Sequence, residues 1–188
     1  MAVTLLLGGA RSGKSRHAEH IATASGHAVT YIATARAGDG EMSARIAQHR
    51  AERPPHWVTV EAPLHLGDAI RRHCAASSVL LVDCLTLWLA NIMFASSSDY
   101  PDVGAITLPA ILHDERADLL DALKAARGDI VLVSNEVGMG IVPMGAATRA
   151  FMDEAGRLNQ HVAALADEVL FIAAGLPLTL KAKACSQG

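Results

Sequence analysis

Short β-rich runs recur along the chain: Val3 to Leu7, Val29 to Ala33, Trp57 to Glu61, Val79 to Val82, Ile130 to Val133 and Val169 to Ile172. Several are apolar at every position instead of alternating, the pattern of strands covered by helices on both faces. Between them, Phe151, Ala155, Leu158, Val162 and Leu165 fall on one helical stripe, and Leu112, Leu119, Leu120 and Leu123 on another. Strands alternating with helices predict an α/β fold with a mainly parallel sheet. Gly26 is expected to end the first helix, and Gly128 the helix beginning near Leu108. The tail GLPLTLK predicts a last short strand, kept at an edge by Pro177. Ala95 to Thr107 shows no periodicity and reads as an exposed loop or lid.

With 188 residues, 51% of them hydrophobic, the expectation is a single domain over residues 1–188 with a well-filled core. The formal charge of −3 and the absence of long single-sign runs give no reason to expect nucleic acid or an acidic membrane as partner. Cys74, Cys84 and Cys185 are widely spaced and form no CxxC pair, which argues against a disulfide framework or zinc knuckle. No apolar run reaches about 18 residues, and the N-terminus lacks the layout of a signal peptide. The reading is a cytoplasmic protein.

Gly8, Gly9, Ala10, Arg11, Ser12, Gly13, Lys14 and Ser15 fit G-x-x-x-x-G-K-S/T after a predicted strand and before a predicted helix. In that setting the glycines turn successive N–H groups inward and the helix offers its positive end. Lys14 would reach the β and γ oxygens, and Ser15 would ligate Mg2+. Asp83, closing the apolar run VLLVD, supplies a second metal ligand in the Walker B manner; its alternative is a cap on the helix starting at Leu85. Magnesium takes few protein oxygens, so Ser15 and Asp83 would suffice with phosphate and water.

A phosphate cradle names a nucleotide and leaves the reaction open. DGEMSARIAQHRAERP, Asp39 to Pro54, is more informative. If helical through about Ala51, it puts Arg45 and His49 on one face, Ile46 and Arg50 on an adjoining one, and Arg53 at the exit before Pro54. Like charges disfavour an imidazolium among three guanidinium groups, leaving a neutral ring nitrogen as a nucleophile. Attack on phosphate would give a labile N–P bond, and the arginines could bind phosphate oxygens during it. The same residues also fit a solvated helix face.

GGARSGKS, YIATA, DGEMSARIAQHRAERP, HWVTVEAP, LLVDCLTLWLAN, VSNEVGMGIVP and FMDEAGRLNQHVAALADEV, followed by GLPLTLK, together resemble the bifunctional adenosylcobinamide kinase / adenosylcobinamide-phosphate guanylyltransferase family of cobalamin biosynthesis. The resemblance implies a RecA-like P-loop fold, a homotrimer and two reactions. A γ-phosphoryl group passes from ATP or GTP to the aminopropanol hydroxyl of adenosylcobinamide. GTP then transfers GMP to that phosphate through a guanylylated histidine, matching His49 here, with loss of pyrophosphate. Nucleotide contacts of the family map onto Gly8 to Ser15, Ala33, Thr34, Ala35, Arg50, Ala51, Glu52, Arg53, Glu61 and Asp83. The kinase step needs the γ-phosphate facing the corrinoid, while guanylylation needs His49 in line with the α-phosphate. The segment Asp39 to Pro54 is therefore expected to move, or GTP to bind in two registers.

Glu61 ends WVTVE and, by the resemblance, would hold guanosine hydroxyls; alone it is also an ordinary solvated strand end. No NKxD motif is present, so base preference is not readable. Asn135 and Glu136 fall where a parallel strand meets a ligand crevice, with Gly138 and Gly140 allowing a bend; Glu136 either binds substrate or orients metal, or belongs to a plain turn. Trp88 and Leu89 are expected to pack, and Cys84 to be a buried small residue. A simple P-loop kinase and a nucleotide-switched assembly protein are the competing functions.

Overall fold

The computed structural model describes residues 1–36, 40, 47, 50–51, 53–94, 100–102 and 104–182. Its strands are β1 (Val3–Gly8), β2 (Ala28–Ala33), β3 (Val58–Glu61), β4 (Ser78–Asp83), β5 (Asp129–Asn135), β6 (Glu168–Ala173) and β7 (Leu176–Lys181). The helices are α1 (Lys14–Ala24), α2 (Leu66–His73), α3 (Leu85–Phe94), α4 (Ile111–Lys124) and α5 (Ala146–Leu165). They assemble a seven-stranded sheet in the order β3-β2-β4-β5-β1-β6-β7. Every pairing is parallel except β6 with β7.

The uninterrupted apolar runs are explained by this order. Central strands β1, β4 and β5 are covered on both faces, so neither parity of side chain meets water. Leu5, Leu80, Val82, Ile130 and Leu132 join one core with α2 to α5, whereas Leu6, Leu81, Val131 and Val133 join another with α1. The expected stripe on α5 faces inward at Ala155, Leu158 and Val162, and that on α4 at Leu112, Leu119 and Leu123. β7 is the antiparallel edge strand that Pro177 foretold, with Leu176, Leu178 and Leu180 exposed.

Two boundaries differ from expectation. Gly26, at φ 70°, follows the end of α1 as predicted. Gly128 does not end α4, which stops at Lys124 under an Ala125 cap in right-handed conformation. Glycine is required there by close approach: a Cβ would lie 2.1 Å from the carbonyl oxygen of Ala75. The same helix starts at Ile111, because Pro109 and Ala110 form its opening turn. Of the stretch Ala95 to Thr107, residues 95–99 and 103 lie outside the described residues, and its far end is no free loop: Ile106 packs on the core and the Asp102 carbonyl accepts from Ala146 N–H at 3.1 Å.

β1 lies between β5 and β6, while the chain leaving it crosses two strands to β2. The carboxyl end of β1 is thus a switch point, where an open parallel sheet leaves a crevice for ligands.

Candidate functional site

The turn from β1 to α1 is built on two close approaches. A Cβ on Gly8 would stand 2.5 Å from the Ile172 carbonyl oxygen, and one on Gly13, at φ +96°, 3.1 Å from Gly175 Cα. The β6–β7 turn braces the loop from below, Gly175 N–H donating to the Ser12 carbonyl at 2.8 Å. From the side, Glu136 N–H donates to the Gly8 carbonyl at 3.0 Å. No side chain caps the N-terminus of α1. Its first N–H groups and the positive end of the helix are left to an anion. Ser12 Oγ is buried with no hydrogen-bond partner among the described residues.

Lys14 is only 8% exposed, and its Nζ donates to the Gly9 carbonyl at 3.1 Å. Burial pushes its pKa below the usual lysine range, while Cys84 and Asp83 pull it back up. Asp83 belongs to β4, in register with Ala33 on β2 and Val133 on β5. Its Oδ2 accepts a hydrogen bond from the Tyr31 hydroxyl at 2.5 Å. Burial and the charge of Asp83 drive the Tyr31 pKa upward, so the phenol stays a donor. Cys84 is 4% exposed, as expected of a small core residue, and burial raises its thiol pKa.

Thr34 is fully buried, and its hydroxyl is committed to the Cys84 peptide, not open to solvent. Asn91 Nδ2 donates to the carbonyls of Thr34, at 2.7 Å, and Pro63, at 3.0 Å. Ala33 pairs in register with Glu61, whose exposed position ends β3 at the same carboxyl end of the strands. Asn135 stands opposite Gly8. Behind it, Ser134 Oγ donates to Asn159 Oδ1 at 2.7 Å and Asn135 N–H to Thr86 Oγ1 at 2.7 Å. Glu136 Oε1 accepts from Gly138 N–H at 2.7 Å, closing the turn after β5. Trp88 and Leu89 are buried in the core.

Gly40, Ala47, Arg50 and Ala51 are helical, the state expected of this segment through Ala51. Arg50 and Ala51 are exposed. Arg53 is half-buried, with its Cζ 3.4 Å from the centroid of the Tyr31 ring. His49, Arg45, Ile46 and Glu52 lie outside the described residues.

Tyr31 opens the run YIATA, but no role of its own was anticipated for it. The available signal was an aromatic with a polar tip inside a buried strand, two residues before its end, where the hydroxyl requires a partner. Among the described residues no group of three or more His, Cys, Asp or Glu side chains could hold a metal ion. Ser15 and Asp83 are hard oxygen donors, the type that magnesium takes together with phosphate and water.

The sequence carries the decision from nucleotide site to family. The model of the family described as cobinamide kinase / cobinamide phosphate guanyltransferase matches residues 4–180. The chain belongs to this family. It is 52% identical over 177 residues to the bifunctional adenosylcobalamin biosynthesis protein CobP of Pseudomonas aeruginosa, covering 94% of this chain and 96% of that one. It is 41% identical over 179 residues to the bifunctional adenosylcobalamin biosynthesis protein CobU of Salmonella typhimurium, covering 94% and 98%. Among solved structures, an ATPase from the type III secretion system of pathogenic bacteria matches at TM-score 0.52 and 14% identity, over 95% of this chain and 56% of that one. The flagellar accessory protein FlaH from Methanocaldococcus jannaschii matches at TM-score 0.50 and 13% identity, over 97% and 79%. These two likenesses speak for the P-loop fold of the cobinamide kinase family member alone. No helix among the described residues is long and apolar enough to cross a membrane.

Proposed function

We propose that the protein is an adenosylcobinamide kinase and adenosylcobinamide-phosphate guanylyltransferase. The observation that carries this reading is family membership across residues 4–180, joined to the carboxyl ends of the parallel strands, where the P-loop leads into Lys14 and where Asp83 and Glu61 end their strands. In the first reaction the aminopropanol hydroxyl of adenosylcobinamide attacks the γ-phosphorus of ATP or GTP. A P–O bond forms there, the bond to the β-γ bridging oxygen breaks, and a nucleoside diphosphate leaves. The Gly8–Ser15 backbone and Lys14 hold the phosphate oxygens, so the work is positioning and charge stabilisation.

In the second reaction a neutral His49 nitrogen attacks the α-phosphorus of GTP. An N–P bond forms and pyrophosphate departs with the electron pair of the broken P–O bond. The phosphate of adenosylcobinamide phosphate then takes the GMP group, returning the electron pair to the imidazole. Arg50 and Arg53, with Arg45, are the guanidinium groups for the oxygens that change charge. Ala33, Thr34, Ala35, Ala51, Glu52 and Glu61 complete the nucleotide contacts, Thr34 by packing from behind, since its hydroxyl is engaged by Cys84, its N–H by Asp83 and its carbonyl by Asn91. Ser15 and Asp83 would hold Mg2+, which would supply neutralising charge to the phosphates. The assembly is a homotrimer in the cytoplasm.

Intact-mass measurement after exposure to GTP tests this. One GMP adduct, mapped to His49, acid-labile, and lost in His49→Ala, is the expected result. Tight GTP binding with no adduct and no pyrophosphate released in the presence of a corrinoid phosphate would leave an ordinary kinase or a nucleotide switch.

A further inference from the structure

One side chain touches both halves of this site. The Tyr31 hydroxyl donates to Asp83 Oδ2 at 2.5 Å, and the face of its ring carries Arg53, whose Cζ is 3.4 Å from the centroid. The ring has little freedom, being 2% exposed on a strand paired on both sides by β3 and β4. We propose that Tyr31 is a positioning residue that sets the Asp83 carboxylate and the Arg53 end of the Asp39–Pro54 segment against each other, linking the metal-side acid to the root of the segment that bears His49. This rests on the functional reading above and extends it.

The two contacts act differently. Donation to Oδ2 uses one acceptor site of the carboxylate and fixes its rotation, leaving Oδ1 for a cation, as outer hydrogen bonds do for metal-binding carboxylates. The negative face of the ring attracts the guanidinium of Arg53. Pro54 narrows the backbone of Arg53, and Trp57, 7% exposed, donates its N–H to the Pro54 carbonyl at 3.1 Å. The root of the segment is thereby held at two points, Trp57 in the core and Arg53 on Tyr31.

Two variants separate the contacts. Tyr31→Phe keeps the ring and removes the hydroxyl; Tyr31→Leu removes both. The readouts are the Mg2+ concentration for half-maximal binding of a fluorescent GTP analogue and the rate of trypsin cleavage after the exposed Arg50. Tyr31→Phe is expected to raise the Mg2+ requirement about tenfold with cleavage unchanged. Tyr31→Leu is expected to do the same and to accelerate cleavage about fivefold. Should Tyr31→Leu not fold, Arg53→Ala gives the same acceleration on an intact Tyr31. Unaltered Mg2+ dependence in Tyr31→Phe, or cleavage at the wild-type rate once the ring or Arg53 is gone, overturns the proposal. A merely structural tyrosine would move both readouts together in Tyr31→Phe. Neither readout needs a transfer reaction: a wild-type protein that takes no GMP from GTP sinks the functional reading while these measurements still decide Tyr31.

Discussion

The Thr34 hydroxyl and the Cys84 peptide grip each other in both directions: Oγ1 donates to the Cys84 carbonyl at 2.8 Å and accepts from its N–H at 2.8 Å. Thr34 N–H also donates to the Asp83 carbonyl at 3.1 Å, so β2 holds the backbone on which Asp83 sits. Thr34→Val, nearly isosteric, leaves the buried Cys84 N–H unpaired, while the Cys84 carbonyl still accepts from Trp88 N–H at 3.1 Å, and is expected to cost about 1–3 kcal/mol. Thr34→Ser keeps both bonds and loses one methyl, about 0.8 kcal/mol. Urea unfolding midpoints compare them, and equal losses would show that packing, not the bond pair, matters at this position.

Gly8 and Gly9 are adjacent and opposite in tolerance. A Cβ on Gly8 meets the backbone oxygen of Ile172 at 2.5 Å and Ser12 Oγ at 2.6 Å, whereas one on Gly9 meets nothing within 4 Å. Ser12 can rotate but β6 cannot yield cheaply. Gly8→Ala is therefore expected to destabilise by about 1–3 kcal/mol, the range for overpacking, and to weaken GTP binding, while Gly9→Ala melts with the wild type. Thermal melts with and without GTP decide it.

Lys14 places a cost on the free protein. Its folded-state pKa lies below the ordinary 10.5 because of burial, with Cys84 and Asp83 opposing. Between the folded value and 10.5 the unfolded chain carries the extra proton, so unfolding free energy rises with pH across that window. Below the window the buried ammonium is a constant penalty, which Lys14→Met lacks. Without nucleotide at neutral pH, Lys14→Met is expected to melt above the wild type, and the gap to shrink as pH climbs towards 10.5. The same variant should bind GTP about 10- to 100-fold more weakly, the weight of one charged hydrogen bond. A gap that widens with pH would reverse the assigned sign.

Local pattern announced what local physics decides. β1, β4 and β5 are legible because strands buried on both faces must be apolar throughout, and β7 because Pro177 can serve only at an edge. The P-loop is legible because glycine at fixed spacing is a steric requirement, seen at Gly8 and Gly13. Gly128 misled, since a helix stop and a close approach to Ala75 demand the same residue. Tyr31 on Asp83, Thr34 on Cys84 and Ser134 on Asn159 join residues 52, 50 and 25 positions apart, and no periodicity encodes such pairs. They are products of the strand order, known only once β2 lies beside β4 and α5 beside β5.

The two proposed reactions make opposed demands on one nucleotide pose, since the corrinoid would have to approach the γ-phosphorus and His49 the α-phosphorus. Motion of the Asp39–Pro54 segment, or a shift of GTP in the P-loop, is the expected resolution. Hydrogen exchange over the peptide spanning this segment should differ between protein bound to a non-hydrolysable GTP analogue and the His49-guanylylated protein, with β1 and β5 unchanged. Identical exchange in the two states, together with a single nucleotide pose having His49 in line and room for the corrinoid, would contradict this.

His49→Ala separates the two activities. In the proposed mechanism the imidazole carries GMP in the second reaction and takes no part in passing the γ-phosphoryl group to an alcohol, a step assigned to the P-loop, Lys14 and Asp83. The variant is expected to keep phosphorylation of adenosylcobinamide within about threefold of wild type and to lose GMP transfer by at least about a thousandfold, since a nucleophile of covalent catalysis has no substitute. Direct attack of the corrinoid phosphate on GTP, bypassing the histidine, predicts the opposite: GMP transfer surviving in His49→Ala with inverted instead of retained configuration at the α-phosphorus. Assaying both products of the variant, with α-thio-GTP of known configuration as the stereochemical probe, distinguishes two displacements from one.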